Sequence, residues 1–253
     1  MKKLQVLLTN DDGFHADGLQ TLYRHLREIA TITIVAPDRE RSAVGHGITM
    51  HHPLRAVPTH LADEVHWLVD GTPADCVKLA LECLCRDQQP DLVISGINRG
   101  PNLGNDVLYS GTVAAAMEAS FYAIPSIAAS LDALGKMDFT KAAVFIENRL
   151  PQLWELAKGS LLNLNFPDLD ASRDYCGVKF TKLGRRIYQN VFEERRDPRG
   201  RNYFWMSGDL VSAPQDADSD MQAVMDGYVS ITPLQSDLTN YTGLKKLCQN
   251  PFL

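Results

Sequence analysis

The sequence has no C-x-x-C pair, and its five cysteines are odd in number. Cys76, Cys83, Cys85, Cys176 and Cys248 therefore suggest neither a disulfide framework nor a zinc site, and they fit a reducing, cytoplasmic compartment. No apolar run reaches the roughly 18–20 residues of a membrane span, so no membrane partner is expected. Met1-Lys2-Lys3 leads into Leu4-Gln5-Val6-Leu7-Leu8, but that stretch is short and ends in Asn10-Asp11-Asp12-Gly13 without a small-residue cleavage site. It reads as a buried first strand rather than a secretory leader. An excess of positive charge is also missing: 25 Lys and Arg face 31 Asp and Glu, for a net charge of −6. Long nucleic acid is a poor fit, because holding it rests on neutralising many phosphates. A small phosphorylated ligand needs only local charge. No G-x-G-x-x-G follows the first strand, which weakens a dinucleotide-binding reading. No G-x-x-x-x-G-K-[ST], G-x-S-x-G or H-E-x-x-H occurs either, so P-loop, hydrolase-elbow and zincin chemistries are set aside.

What is present is ordinary for a globular protein: 45% apolar and 22% charged residues over 253 positions. At about 150 residues per domain this is one large domain, or one domain with an appendage. Short apolar runs alternate with helical spacing along the first 150 residues. Strands are expected at Leu4–Thr9, Thr31–Ala36, Val65–Val69, Asp91–Ile97 and Ile124–Ala129. Helices are expected at Asp17–Ile29, from Thr72-Pro73 to Leu84, at Ser110–Tyr122 and at Phe139–Leu150. Such alternation predicts βαβ units and a Rossmann-like, mostly parallel sheet with helices on both faces. Beyond about residue 175 the pattern turns to strands: Gly177–Leu183, Ile187–Phe192, Asn202–Met206 and Tyr228–Leu234, then a short helix Tyr241–Cys248. Asp197-Pro198-Arg199-Gly200 is a strong turn signal. The hairpin around it reads either as an arm gripping a second subunit or as an edge hairpin of the main sheet.

In open α/β sheets, ligands bind beyond the carboxyl ends of the strands. Three expected loops lie there: Asn10–Gly13, Pro37–Ser42 and Asn98–Asp106. Together they offer adjacent carboxylates, a hydroxyl and amide carbonyls, an all-oxygen set suited to Mg²⁺ or Mn²⁺. The plainer reading is that Asp11-Asp12-Gly13 is a turn with one aspartate capping a helix. The glycine-rich run Gly96–Gly104 precedes Ser110-Gly111-Thr112, which opens a helix whose N-terminus could bind an anion. Ser110 could equally be only an N-cap. Arg39, Arg41 and Arg99 could neutralise phosphate or be solvated. His15 and His46 could serve as general acids or be bystanders. Cys76 and Cys83, one heptad apart, read as core packing, and His51-His52 as surface. A metal beside an anion cradle suggests phosphoryl transfer to water.

These segments resemble the SurE family, the stationary-phase survival proteins that act as nucleoside 5′/3′-monophosphate phosphatases. The resemblance lies in Leu8–Gly13, Val35–Asp38, Gly71–Val77, Ser95–Gly104, Tyr109–Ala116 and Gly227–Leu234, in order, and spans about residues 4 to 245. It implies a Rossmann-like core of about residues 1–175 with a C-terminal β extension over 176–253, within a single domain of 1–253. It implies one divalent metal per subunit, Mg²⁺ or Mn²⁺, held by Asp11, Asp12, Ser42 and Asn98. Asp11, Asp12 and Asn98 would be catalytic. Asn102, Ser110, Gly111 and Thr112 would line the phosphate pocket. It implies hydrolysis of 5′- and 3′-mononucleotides, in some members of polyphosphate, and a homodimer or homotetramer built by exchange of the C-terminal arm. Ala43 stands where the family usually has glycine, and Ser120 where it has glycine or alanine. Two other classes remain beside this reading: a nucleotide sensor that binds on the same loops without turnover, and an assembly protein whose business is the arm.

Overall fold

The computed structural model describes residues 3–61, 64–133, 137–169, 172–211 and 215–249. One nine-stranded sheet organises the chain. Its strands are β1 (Gln5–Thr9), β2 (Thr31–Pro37), β3 (Ala56–Leu61), β4 (Glu64–Val69), β5 (Leu92–Arg99), β6 (Ser126–Asp132), β7 (Leu161–Pro167), β8 (Val178–Phe180) and β13 (Val229–Leu234), in the order β3-β4-β2-β1-β5-β6-β7-β13-β8. From β4 to β7 every neighbour is parallel, whereas β3 and β13 run antiparallel to β4 and β7. The chain winds outward from β1 through β2 to β4, then returns to place β5 on the other side of β1. The gap between β1 and β5 is thus a topological switch point, where open α/β sheets take ligands.

Helices α1 (Asp17–Leu26) and α4 (Thr140–Ala157) cover one face. They bury Leu19, Leu22, Leu26, Ile146, Leu150 and Leu153 against Val6, Leu8, Ile34, Ile94 and Leu164. Helices α2 (Pro73–Leu79) and α3 (Gly111–Phe121) cover the other, where Cys76, Val77, Ala115 and Ala119 meet Leu7, Val35 and Val93. Helix α2 starts as its sequence prescribes, with Pro73 in the first turn and a reciprocal capping box between Thr72 and Asp75. Helix α3 is almost wholly buried, because its alanines let it lie close on the strands.

Several expectations are corrected. Helix α1 stops at Leu26, and Ile29 is exposed. Helix α4 continues through Pro151 to Ala157, because Leu150, Leu153 and Ala157 still reach the core beyond the proline. The segment after α2 becomes a π-helical turn over Ala80–Leu84. That wider turn breaks the heptad phase, so Cys76 is buried while Cys83 is exposed. Strands β3 and β7 and helix α5 (Asp220–Met225) were not foreseen. Pro58 spoils β3 as a strand signal and confines it to the sheet edge.

The C-terminal hairpin is not an edge of the main sheet. β10 (Phe192–Arg196) and β11 (Asn202–Met206) form their own two-stranded sheet, joined through the turn at Asp197–Gly200. A second small pair, β9 (Tyr188–Gln189) with β12 (Asp209–Leu210), forms its stem. Every residue of β10 and β11 is exposed, including Phe192, Phe204 and Trp205. Helix α6 (Tyr241–Cys248) buries none of its residues. No helix among the described residues is long and apolar enough to cross a membrane.

Candidate active site

The end of β1 delivers Asp11 and Asp12 into the switch-point crevice, and the neighbouring loops are tied to them. The Arg41 N–H donates to the Asp11 carbonyl at 2.7 Å, which fixes the loop after β2. The Arg99 N–H donates to Asp12 Oδ2 at 3.0 Å, which fixes the end of β5. The first turn of α3 closes the third side. Thr112 donates to Asp11 through its N–H at 3.1 Å and through Oγ1 at 2.5 Å. Gly111 permits this approach, since a Cβ there would lie 2.8 Å from the Asp11 Cβ.

Burial pushes the Asp11 carboxyl above its ordinary value despite the hydrogen bonds from Thr112. Burial also pushes Asp12 up to about 6, helped by the charges of Asp11 and Glu40 and opposed by the Arg99 N–H. Adjacent, desolvated carboxylates with a third acid nearby form a centre that a cation would relieve.

The other residues expected at the site divide into those on its rim and those that build it. Ser42 is exposed, and its hydroxyl donates to Glu40 Oε1 at 2.9 Å. Ala43 follows with φ +56°, a left-handed conformation that glycine takes without cost and alanine resists. Asn98 is buried where the β5–β6 register shifts; its Nδ2 donates to the Gly100 carbonyl at 2.9 Å, leaving Oδ1 as an acceptor. Ser110 is the N-cap of α3, accepting from the Val113 N–H at 3.1 Å. The Gly111 N–H opens that helix, at an end where anions are favoured. Asn102 is buried and held at both ends. Its N–H donates to Asn165 Oδ1 at 2.8 Å, its Nδ2 to Ser130 Oγ at 2.7 Å, and its carbonyl accepts from Asn163 and Asn165.

Arg39 and Arg99 carry exposed side chains. Arg41 is a structural tie, donating to Asp38 Oδ1 at 3.3 Å and to the Asp70 carbonyl at 3.0 Å. His15 is exposed. His46 pairs with Glu118 at 2.9 Å and stacks on Phe121. His51 and His52 lie on the surface as expected.

Four residues that shape the site were not singled out from the sequence. Asp75 accepts from the N–H of Thr49 at 2.9 Å and from its hydroxyl at 2.6 Å, anchoring the far end of the loop that carries Ser42. Glu118 anchors its middle through His46. Asn163 and Asn165 clasp Asn102. The capping-box spacing from Thr72 to Asp75 and the two-residue spacing of the asparagines in Leu161–Pro167 are the signals that could have found three of them.

Among the described residues, no three His, Cys, Asp or Glu side chains gather to hold a metal. The set expected here is of another kind: two carboxylates at the end of β1, one hydroxyl on the loop after β2 and one amide oxygen at the end of β5. All are hard oxygen donors, and the desolvated acid pair supplies the charge. The donor set fits a divalent cation such as Mg²⁺ or Mn²⁺ and would suit zinc poorly.

Comparison with known proteins gives a consistent result. Residues 6–190 match the family described as Survival protein SurE. The 5′-nucleotidase SurE of Alkaliphilus metalliredigens is 49% identical over 249 residues, covering 96% of this chain and 97% of the relative. The 5′-nucleotidase SurE of Desulforamulus reducens is 50% identical over 250 residues, with 96% and 97% covered. The crystal structure of the SurE protein from Aquifex aeolicus superposes with a TM-score of 0.84 at 37% identity, covering 97% of this chain and all of the other.

Proposed function

The chain belongs to the SurE family, and on that premise we propose that it is a 5′-nucleotidase, a phosphomonoesterase that releases phosphate from nucleoside 5′-monophosphates. The observation that carries this reading is the acid pair at the switch point, with the β2 and β5 loops tied to it by the Arg41 and Arg99 N–H groups. We further propose that hydrolysis needs one divalent metal, Mg²⁺ or Mn²⁺, held by Asp11, Asp12, Ser42 and Asn98. Acceptance of 3′-monophosphates and short polyphosphate belongs to the same proposal.

A bound divalent cation would supply polarisation of the phosphoryl oxygens and acidification of water. The chain's own groups do the rest. Thr112 fixes the Asp11 carboxylate, and the Gly100 carbonyl fixes the Asn98 amide, so these donors meet the ligand without reorganising. In the first turn of α3, Asp11 uses the Thr112 N–H and Ser110 uses that of Val113. The Gly111 N–H and the Ser110 hydroxyl remain to bind phosphate oxygens. Asp12 Oδ2 takes the Arg99 N–H, which leaves Oδ1 for the cation. Asn102, buried and clamped, holds the loop that leads to Ser110.

The proposed assembly is a homodimer or homotetramer in which the β10–β11 arm reaches a second copy. The exposed aromatic residues of the arm and the uncovered helix α6 support it. The proposed compartment is the cytoplasm, and the five free cysteines are in keeping with it.

The test is phosphate release from a panel of 5′- and 3′-mononucleotides and tripolyphosphate, with Mg²⁺ and with Mn²⁺. Release from 5′-mononucleotides is expected. Tight binding of nucleotides without release would make the protein a sensor instead.

A further inference from the structure

Two segments far apart in sequence meet behind the phosphate-binding helix. One is the loop from Asn102 to Ser110, which includes a 3-10 turn over Gly104–Leu108. The other is the root of the arm, from Gly184 to Tyr188. Asp220, at the start of α5 and fully buried, sits between them. Its Oδ2 accepts the Gly104 N–H at 2.8 Å, and its Oδ1 accepts those of Gly184 at 2.7 Å and Met221 at 2.8 Å. No lysine, arginine or histidine pairs with it among the described residues. A bare carboxylate in the interior is costly unless hydrogen bonds replace its water, and here backbone N–H groups do so. The two segments also touch directly: Gly104 has φ +55°, and a Cβ on it would lie 2.8 Å from the Gly184 carbonyl oxygen.

A second clasp lies beside the first. The Arg186 N–H donates to Asn105 Oδ1 at 2.8 Å. Asp106 Oδ2 accepts from the Arg186 guanidinium at 2.8 Å and from the Tyr188 hydroxyl at 2.5 Å. Tyr188 opens β9, the stem of the arm. Each of three consecutive loop residues, Gly104, Asn105 and Asp106, is thus bonded either to the arm root or to the carboxylate that holds it.

We propose that Asp220 is a positioning residue for the phosphate-binding loop, and that through it and Asp106 the arm sets the geometry of the site. The inference rests on the phosphatase reading above and goes beyond it by making phosphate affinity depend on the arm. Moving the arm root displaces Gly104 to Asp106, and with them the Ser110 hydroxyl at the end of that loop. The cation donors Asp11, Asp12 and Asn98 hang on β1 and β5, and Thr112 holds Asp11 to the first turn of α3 beyond the loop, so they are not displaced.

The test compares wild type with Asp220→Asn, which keeps one acceptor oxygen for two loops. Asp106→Asn, at a half-buried position, cuts the arm-side clasp and keeps the variant series informative should Asp220→Asn fail to fold. Affinity for inorganic phosphate in the presence of Mn²⁺, affinity for Mn²⁺ alone, and kcat and KM for a 5′-mononucleotide are measured at a temperature well below unfolding. Phosphate affinity is expected to fall about tenfold or more in the folded variants, as for a sub-ångström to 1 Å misplacement, with Mn²⁺ affinity unchanged. A purely structural role lowers the melting temperature but leaves phosphate affinity and kcat/KM as in wild type, and that result would overturn the proposal. Wild type that binds phosphate without hydrolysing nucleotides overturns only the phosphatase reading; wild type that binds no phosphate overturns both.

Discussion

Thr112 Oγ1 donates to Asp11 Oδ1 at 2.5 Å, in the interior, while the N–H of the same residue donates to Asp11 Oδ2 at 3.1 Å. One threonine therefore locks the carboxylate at the end of β1 onto the first turn of α3. The acid and the helix N-terminus, expected to meet the cation and the phosphate respectively, are held as one unit.

Thr112→Val keeps the shape and removes the hydroxyl. Asp11 Oδ1 then loses the Thr112 hydroxyl in the interior, and leaving a buried group unsatisfied costs about 1–3 kcal/mol. The variant is expected to unfold at lower temperature and to lose about tenfold or more in kcat, as a displaced catalytic group does. Thr112→Ser restores the hydroxyl and should recover most of both. Thermal denaturation and steady-state phosphate release check this; a fully active Thr112→Val would show that Asp11 needs no such lock.

Ala43 holds φ +56° next to Ser42. A left-handed residue with a Cβ costs roughly 1–2 kcal/mol, while glycine gives back about 0.5–1 kcal/mol through its freer unfolded chain. Ala43→Gly is therefore expected to be neutral to slightly stabilising, and to leave activity at or above the starting value. A clear fall in melting temperature would mean that the alanine methyl packs usefully on the loop.

Glu118 is a buried acid with two partners, His46 at 2.9 Å and Lys78 at 3.0 Å. Burial pushes its carboxyl up, but the hydrogen bonds from His46 and Lys78 outweigh that and hold it below the ordinary 4.5. A carboxyl lowered in the folded state stabilises fully above its unfolded value, and that stability is lost as the pH falls through the folded value. Melting temperature should therefore drop below about pH 4.5, and Glu118→Gln should lower it at neutral pH while flattening the acid limb. The loop carrying Ser42 hangs partly on His46, so limited proteolysis there should quicken in the variant. An unaltered acid limb would assign it to other groups.

Much of this was legible because local rules and tertiary needs agreed. The β1 run ends in Asn10–Gly13, Ser110 caps α3, Pro73 and Thr72 open α2, and Asp197–Gly200 makes the hairpin turn, each through short-range chemistry. What escaped depended on distant partners. The asparagines of β7 interrupt an apolar run, yet they are buried because Asn102 supplies their hydrogen bonds across 61 and 63 residues. The π-turn after α2 moved Cys83 outward with no residue to announce it. Asp220 reads as a helix-start acid; its clasp on Gly104 spans 116 positions and has no local mark. The choice between a free arm and an edge hairpin also needed the sheet itself, since the strands of β10 and β11 fit either.

The central claim is that the Asp11–Asp12 crevice hydrolyses phosphate esters with a divalent cation. Phosphate release from adenosine 5′-monophosphate tests it most directly, measured with Mg²⁺, then with excess chelator, then with Mg²⁺ restored, in wild type and in Asp11→Asn. Release that stops with chelator, returns with the metal, and is nearly absent in a folded Asp11→Asn is the predicted result. Release indifferent to chelator, or undiminished in Asp11→Asn, would contradict it.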